Sequence, residues 1–258
     1  MTVIKETFSE GSSLLHRTDP RLKLVSALLL ACVTAVLTTI PGALASLIGA
    51  LCLLFLSGLL LPQVLKRLLL VNAFIGMMWL FLPFTTPGTP LFSQFGLSLT
   101  LEGIELALLV TLKSNAILLF MITLISTTPT VTLGQALDAL HVPEKLNFLL
   151  LISYRYLEVI FQEYNRLATA ARVRGFVPGT SPRTYRTYGY LLAMVLVNSF
   201  DRAQRVYQAM LLRGFQGRFY ALHEFHISFT DWVIAVFMIT LAIIIFLADK
   251  LLPVFYTA

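Results

Sequence analysis

Charged residues are absent from Leu24 to Leu65, a run of forty-two positions. A membrane-crossing helix needs about 20 apolar residues, so the run is long enough for two. The phrase Thr38-Thr39-Ile40-Pro41-Gly42 interrupts it, and the run reads as a helical hairpin over about 22–39 and 43–61. Positions 62–67 carry Lys66 and Arg67 and read as a loop. A second uncharged run extends from Leu68 to Leu101. Its first part, about 68–84, predicts a third span, and the Pro- and Gly-rich remainder over 85–100 reads as a loop. A fourth span is predicted over about 101–126 and a last one over about 229–249.

Polar and apolar positions alternate differently between the fourth and fifth spans. Leu146, Leu149, Leu150, Ser153, Tyr156, Leu157, Ile160, Tyr164 and Leu167 recur in steps of three and four, the signature of an amphipathic helix. Pro143 suits its first turn. A second long helix is predicted from about Arg183 to Arg213, and a short one over Thr132 to Val142. Each long helix has roughly 30 residues, about 45 Å. Arg in their C-terminal halves makes crossing expensive, at about 2.5–3.5 kcal/mol for an Arg at a span centre. Leu149–Tyr154 and Tyr190–Phe200 therefore read as interfacial or partly buried stretches. The expected fold is all-α: a polytopic membrane protein of about five transmembrane helices with a helical insert between spans four and five. The expected organisation is an N-terminal tail (1–21), four spans (22–126), the insert (127–227), and a last span with the C-terminus (228–258).

Composition agrees. The 258 residues are 57% hydrophobic and 12% charged, with a mean hydropathy of +0.83, whereas soluble domains carry about 25% charge. The net charge of +6 alone would also suit nucleic acid. Its placement argues otherwise. Seventeen of the nineteen Lys and Arg fall before span one, within 62–67, or within 127–227. The positive-inside rule assigns those segments to the cytoplasm and the C-terminus to the outside. Only Lys113, inside a span, and Lys250 fall elsewhere. Cys32 and Cys52 lie in apolar blocks and read as small core residues of membrane helices.

One phrase occurs twice. Arg166–Phe176 reads RLATAARVRGF and Arg205–Phe215 reads RVYQAMLLRGF, thirty-nine positions apart in one frame: Arg, three residues, Ala, three residues, Arg-Gly-Phe. Steps of four keep Arg166, Ala170 and Arg174 in one row on a helix, and Arg205, Ala209 and Arg213 in another. Gly175 and Gly214 fit the left-handed residue that ends a helix, and Arg in a last turn complements the macrodipole. One copy would be a helix cap and nothing more. Two copies, each ending a long cytoplasmic helix, point to docking on two equivalent receptors, with Arg suited to bidentate pairing with carboxylates.

Other candidates are weaker. In Asp19-Pro20-Arg21 the Asp suits a cap, the Pro suits the first helical position, and Arg21 and Lys23 suit headgroup anchors. Lys113, beside Ser114 and Asn115, either faces a membrane partner or pairs within the bundle with Glu105. The histidines His16, His141, His223 and His226 supply no third metal ligand by spacing, and no metal site is expected. The chain has no Gly-rich phosphate loop, no Gly-x-Ser-x-Gly elbow and no paired acids on a span, so no enzyme is expected. A stand-alone carrier or channel would want a polar midplane site in each of two halves, which only Lys113 approaches.

The two Ala-x-x-x-Arg-Gly phrases resemble the signature of the transmembrane (T) component of energy-coupling factor importers. The N-terminal LLHRTDPRLKL (Leu14–Leu24) is similar to that family's opening. LHVPEKL, SYRYLEVIFQEYNRL and RAQRVYQAMLLRGFQGR resemble its cobalt branch, the CbiQ type; the likeness covers about residues 8–220. It implies a non-catalytic scaffold, multi-pass in the cell (inner) membrane, for ATP-driven uptake of cobalt ion, with nickel or a vitamin as alternative cargo. It implies that Arg174 and Arg213 pair with acidic groups on two ABC-type ATPases. Gly175 and Gly214 would let the ends fit closely, and Ala170 and Ala209 would keep the row flat. Arg166, Arg205, Asp19 and Arg21 are further coupling candidates, and Lys113 a contact for a membrane-embedded substrate-binding component. ATP and magnesium would sit on the ATPases, with no cofactor in this chain.

Overall fold

A computed structural model of the chain describes residues 13, 15, 18–94, 97–215 and 229–256. The elements are helices α1 (Pro20–Val36), α2 (Ile40–Ser57) and α3 (Leu61–Thr85), strands β1 (Pro90–Gln94) and β2 (Leu97–Thr100), and helices α4 (Leu101–Leu124), α5 (Thr130–Ala139), α6 (Glu144–Val173), α7 (Pro182–Leu212) and α8 (Phe229–Tyr256). Among the described residues, four stretches are long and apolar enough to cross a membrane: α2, α3, α4 and Thr230–Leu251 of α8. The chain is an α-helical, multi-pass membrane protein. The first predicted span is α1, which falls short of that length, with 17 residues, and carries Arg21 and Lys23 in its first turn.

The described residues form two compact units, with the division falling inside α5. In the first, α4 lies against α1, α2 and α3, and α8 closes on α1 and α2. Leu30, Leu53, Leu119, Phe120 and Ile245 fill its core. Small residues bring the helices together, as expected where lipid tails remove the usual hydrophobic drive. A Cβ at Gly42 would lie 2.9 Å from the Asp249 side chain, and one at Gly49 would lie 3.0 Å from Leu241. Large apolar side chains such as Leu28, Ile48, Phe55, Leu70, Phe74 and Ile244 point outward. α3 is tied to α4 by polar bonds: Asn72 and Asn115 exchange amide hydrogen bonds of 2.8 and 2.9 Å, and Trp79 Nε1 donates to Thr111 Oγ1 at 2.9 Å.

The corner between α1 and α2 is held from two sides. Lys113 Nζ, on α4, donates to the carbonyls of Ala35 (2.6 Å) and Leu37 (2.7 Å) at the end of α1. Asp249 Oδ1, on α8, accepts from the amides of Thr38 (3.0 Å) and Thr39 (2.9 Å) and from Thr39 Oγ1 (2.8 Å) at the start of α2. A cation thus meets the negative end of one helix and an anion the positive end of the next.

Three readings are corrected. Positions 62–67 lie in the first two turns of α3, with Pro62 near its start, so Lys66 and Arg67 are helical. The 85–100 segment contains an antiparallel hairpin, pairing Phe92 with Leu99 and Gln94 with Leu97. Alternation was hidden there by Pro and Gly at its margins. Lys113 bonds to α1 carbonyls in place of the Glu105 pairing considered above.

The second unit is built on α6 and α7, with 30 and 31 residues. Of the predicted stripe on α6, Leu146, Leu149, Leu157 and Ile160 are exposed. Two packed helices make no third layer to cover that face. The side chains that are buried include two polar ones, Asn147 and Glu163.

Asp249→Ala should lower the thermal midpoint in detergent, with a loss of about 1–2 kcal/mol for a removed N-cap. Asp249→Asn keeps an acceptor and should lose less. Equal midpoints for all three proteins in circular-dichroism melts would sink the corner-clamp account.

Candidate functional site: the twin Arg-Gly helix ends

The repeated frame ends α6 and α7 in the same backbone geometry. At the first copy, Arg174 sits at φ −82°, ψ 15° and Gly175 at φ +82°. The Gly175 amide donates to the Arg172 carbonyl (3.0 Å) and the Phe176 amide to the Ala171 carbonyl (3.1 Å). At the second, Arg213 sits at φ −91°, ψ 10° and Gly214 at φ +79°. There the Gly214 amide donates to Leu211 (3.0 Å) and the Phe215 amide to Met210 (3.0 Å). These are two Schellman caps, with Gly at the left-handed position and Phe one residue beyond.

The Phe shared by both copies of the frame has a reason in packing. Phe176 meets Tyr188, in the N-terminal half of α7, edge-on at 5.5 Å between ring centroids. Phe215 stacks on Phe148, in the N-terminal half of α6, at 5.7 Å. Each helix end is thus pinned to the beginning of the other helix. Arg166, Ala170, Arg174 and Gly175 remain exposed, as do Arg205, Ala209, Arg213 and Gly214. Beside the first end lies an open groove of about 800 Å³, lined by Ala170, Arg174, Gly175, Phe176, Arg183 and Tyr190 among others. Arg183 was not singled out from sequence, because it lies in the other helix from the motif whose groove it completes.

The two rows differ in one respect. Arg166 Nη2 donates to Glu163 Oε1 at 2.7 Å. The same carboxylate accepts from Asn198 Nδ2 at 2.9 Å and stands 3.7 Å from Arg202 Nη2, both on α7. Its side chain is 8% exposed. Burial works against its charge, but the hydrogen bonds from Arg166 and Asn198, with the Arg166 and Arg202 charges, hold the carboxyl below its usual range. Glu163, Asn198 and Arg202 were missed in the sequence, although the thirty-nine-residue offset makes Glu163 and Arg202 equivalent positions.

The remaining candidates fall in the first unit. Asp19 caps α1, accepting from the Arg21 amide at 2.8 Å, and its own amide donates to Asp231 Oδ1 at 3.0 Å. Lys23 is not a headgroup anchor. It is 4% exposed, donates to Thr128 Oγ1 at 3.4 Å, and faces the Asp231 and Asp19 carboxylates. Burial against two acids explains the inward turn: a lone buried cation would be costly. Among the described residues no three His, Cys, Asp or Glu gather to hold a metal. His16, His223 and His226 lie outside the described residues.

The family model described as "Cobalt transport protein", CbiQ, matches residues 11–223. The chain belongs to the CbiQ family. It is 28% identical over 249 residues to the energy-coupling factor transporter transmembrane protein EcfT of Brevibacillus brevis, covering 91% of this chain and 94% of the relative. It is 27% identical to the EcfT protein of Streptococcus equi over 218 residues, covering 80% and 81%. It is 28% identical to the cobalt transport protein CbiQ of Rhodobacter capsulatus over 122 residues, covering 47% and 50%. The match to the CbiQ family spans both Arg-Gly ends, and the fold agrees with a transporter membrane subunit.

Two predictions follow from the cap geometry of this CbiQ-family chain. A Cβ at Gly175 or Gly214 meets no atom within 4 Å, so Ala there should cost backbone strain alone, about 1 kcal/mol each. Asn, which tolerates the left-handed region, should cost less, read as thermal midpoints. For Glu163 the folded carboxyl titrates below its unfolded value. Its contribution is therefore present above the usual carboxylate pKa and lost as pH falls through the lowered one. The protection factors of α6 and α7 amides, corrected for the intrinsic exchange rate at each pH, should fall over that acid window, and Glu163→Gln should flatten that fall.

Proposed function

We propose that this chain is the coupling scaffold of an ATP-driven cobalt importer. Its two Arg-Gly ends dock on two cytoplasmic ABC-type ATPase subunits, and its membrane helices hold a separate substrate-binding component. The observation that carries the reading is the pair of identically capped, exposed Arg-Ala-Arg rows. The caps consume the helix-end backbone groups internally, leaving the guanidinium groups of Arg174 and Arg213 for a partner. Arg matches the fork geometry of a carboxylate, so each receptor is acidic at the contact. The groove beside Arg174, also lined by Arg183, suits an acidic helix or loop. ATP and magnesium belong to the ATPases; this chain couples their motion to the membrane and performs no chemistry.

Orientation follows from the placement of Lys and Arg, with the N-terminus and the α6–α7 unit in the cytoplasm and the C-terminus outside. Cobalt as cargo is supported by the family description and by the CbiQ relative. Nickel or a vitamin is the alternative, and uptake assays separate them.

The test is co-purification in detergent with candidate ABC ATPases. The wild type should retain two ATPase subunits. Arg174→Ala with Arg213→Ala should insert normally, lose the ATPases and abolish energy-dependent cobalt uptake. Undiminished uptake by that double variant would falsify the docking reading. Uptake of nickel or a vitamin in place of cobalt would reassign the cargo alone.

A further inference from the structure

Glu163 and Arg202 stand three residues before the two copies of the repeated frame, thirty-nine residues apart, with opposite charge. They lie 3.7 Å from each other across the α6–α7 contact. The contact between α6 and α7 thus brings equivalent positions face to face. Identical charges at that position would repel, so a repeat with Glu or Arg in both copies would open the crossing. The exchange of one for the other closes it. Glu163 also draws in Asn198 at 2.9 Å and Arg166 at 2.7 Å, so a single carboxylate gathers side chains from both copies.

We propose that Glu163 is the positioning residue of the two docking ends: it fixes the angle at which α6 and α7 cross, and with it the separation of Arg174 and Arg213. The proposal rests on the docking reading above. The lever arms are equal, because Arg174 is eleven residues beyond Glu163 and Arg213 is eleven beyond Arg202. At 1.5 Å per residue each arm is about 17 Å, and a 10° change of crossing angle swings one end by about 3 Å with the other helix held. A bidentate Arg contact survives far less displacement than that. Two ends that must engage together gain their avidity only if their spacing matches that of the receptors. The crossing therefore controls simultaneous docking and leaves the chemistry of either end alone.

The asymmetry has a second consequence. Arg166 is tied to Glu163, whereas its counterpart Arg205 has Arg202 three positions before it and is exposed. The second end thus presents one more uncommitted guanidinium than the first.

The test uses the full chain in nanodiscs, with Cys32→Ala and Cys52→Ala, spin-labelled at Val173→Cys and Leu212→Cys. Those sites are 84% and 90% exposed. Glu163→Gln keeps the side chain's size and removes its charge. It should broaden the inter-label distance distribution and weaken retention of the ATPase pair by about tenfold or more. In an Arg213→Ala background, where one end docks, Glu163→Gln should change retention no further. An unchanged distance distribution overturns the proposal whatever the ATPases do. So does equal weakening in the Arg213→Ala background, which would mean that Glu163 supports one end or the fold itself. If neither Arg174→Ala nor Arg213→Ala affects retention, the docking reading has failed, and the distance distribution alone judges the pivot.

Discussion

A helix that ends inside an apolar layer leaves amides or carbonyls that no water can satisfy, and each such group needs an answer from within the protein. The α1–α2 corner has the hardest version of this problem. Carbonyls at the end of α1 and amides at the start of α2 arrive within three residues of each other. Lys113 and Asp249 supply the two answers from α4 and α8. Their charges are affordable there because each is placed against a helix pole of opposite sign and hydrogen-bonded to backbone. The same bonds fix the register of α8 against α2, which is why Gly42 has no room for a side chain beside Asp249.

At the Arg-Gly ends the same constraint has a different solution. The last carbonyls of α6 and α7 are capped by the chain's own amides, so no side chain from elsewhere is needed. That frees the Arg row. The following Phe, clamped on the opposite helix, converts a local cap into a tertiary contact. Cap, contact and exposed row therefore come from one short phrase, which explains why the phrase is repeated as a unit.

How much of this could be read in the sequence depended on the range of the interaction. Helices and caps were legible, because apolar runs, Pro near first turns and the Gly after Arg act within a few residues. Segment ends were less so: Pro62 starts α3 at a place where Lys66 and Arg67 suggested a loop. The hairpin over Pro90–Gln94 and Leu97–Thr100 was missed because the turn residues around it outweigh four or five strand positions. Pairings over great sequence distance left no local trace. Thr38 and Asp249 are more than two hundred positions apart, as are Asp19 and Asp231. Lys23 looked like a headgroup anchor because the acids it faces include one at the far end of the chain. The two Arg rows were legible as a row; that Arg183 would complete a groove beside one of them was not.

The repeat also held information of a kind that similarity conceals. Aligning the two copies draws attention to Arg, Ala and Gly, where they agree. An ion pair between the two helices is made where they disagree, at Glu163 and Arg202. A two-fold contact between identical positions must be either neutral or repulsive when those positions are charged, so a duplicated helix pair can gain an ion pair at its axis only by breaking its own symmetry. One carboxylate then serves both copies, and the ends it separates cease to be chemically equivalent. Near-symmetry at the tips and opposition at the ion pair thus belong to one repeat: alike in their caps, unlike in charge where α6 and α7 meet.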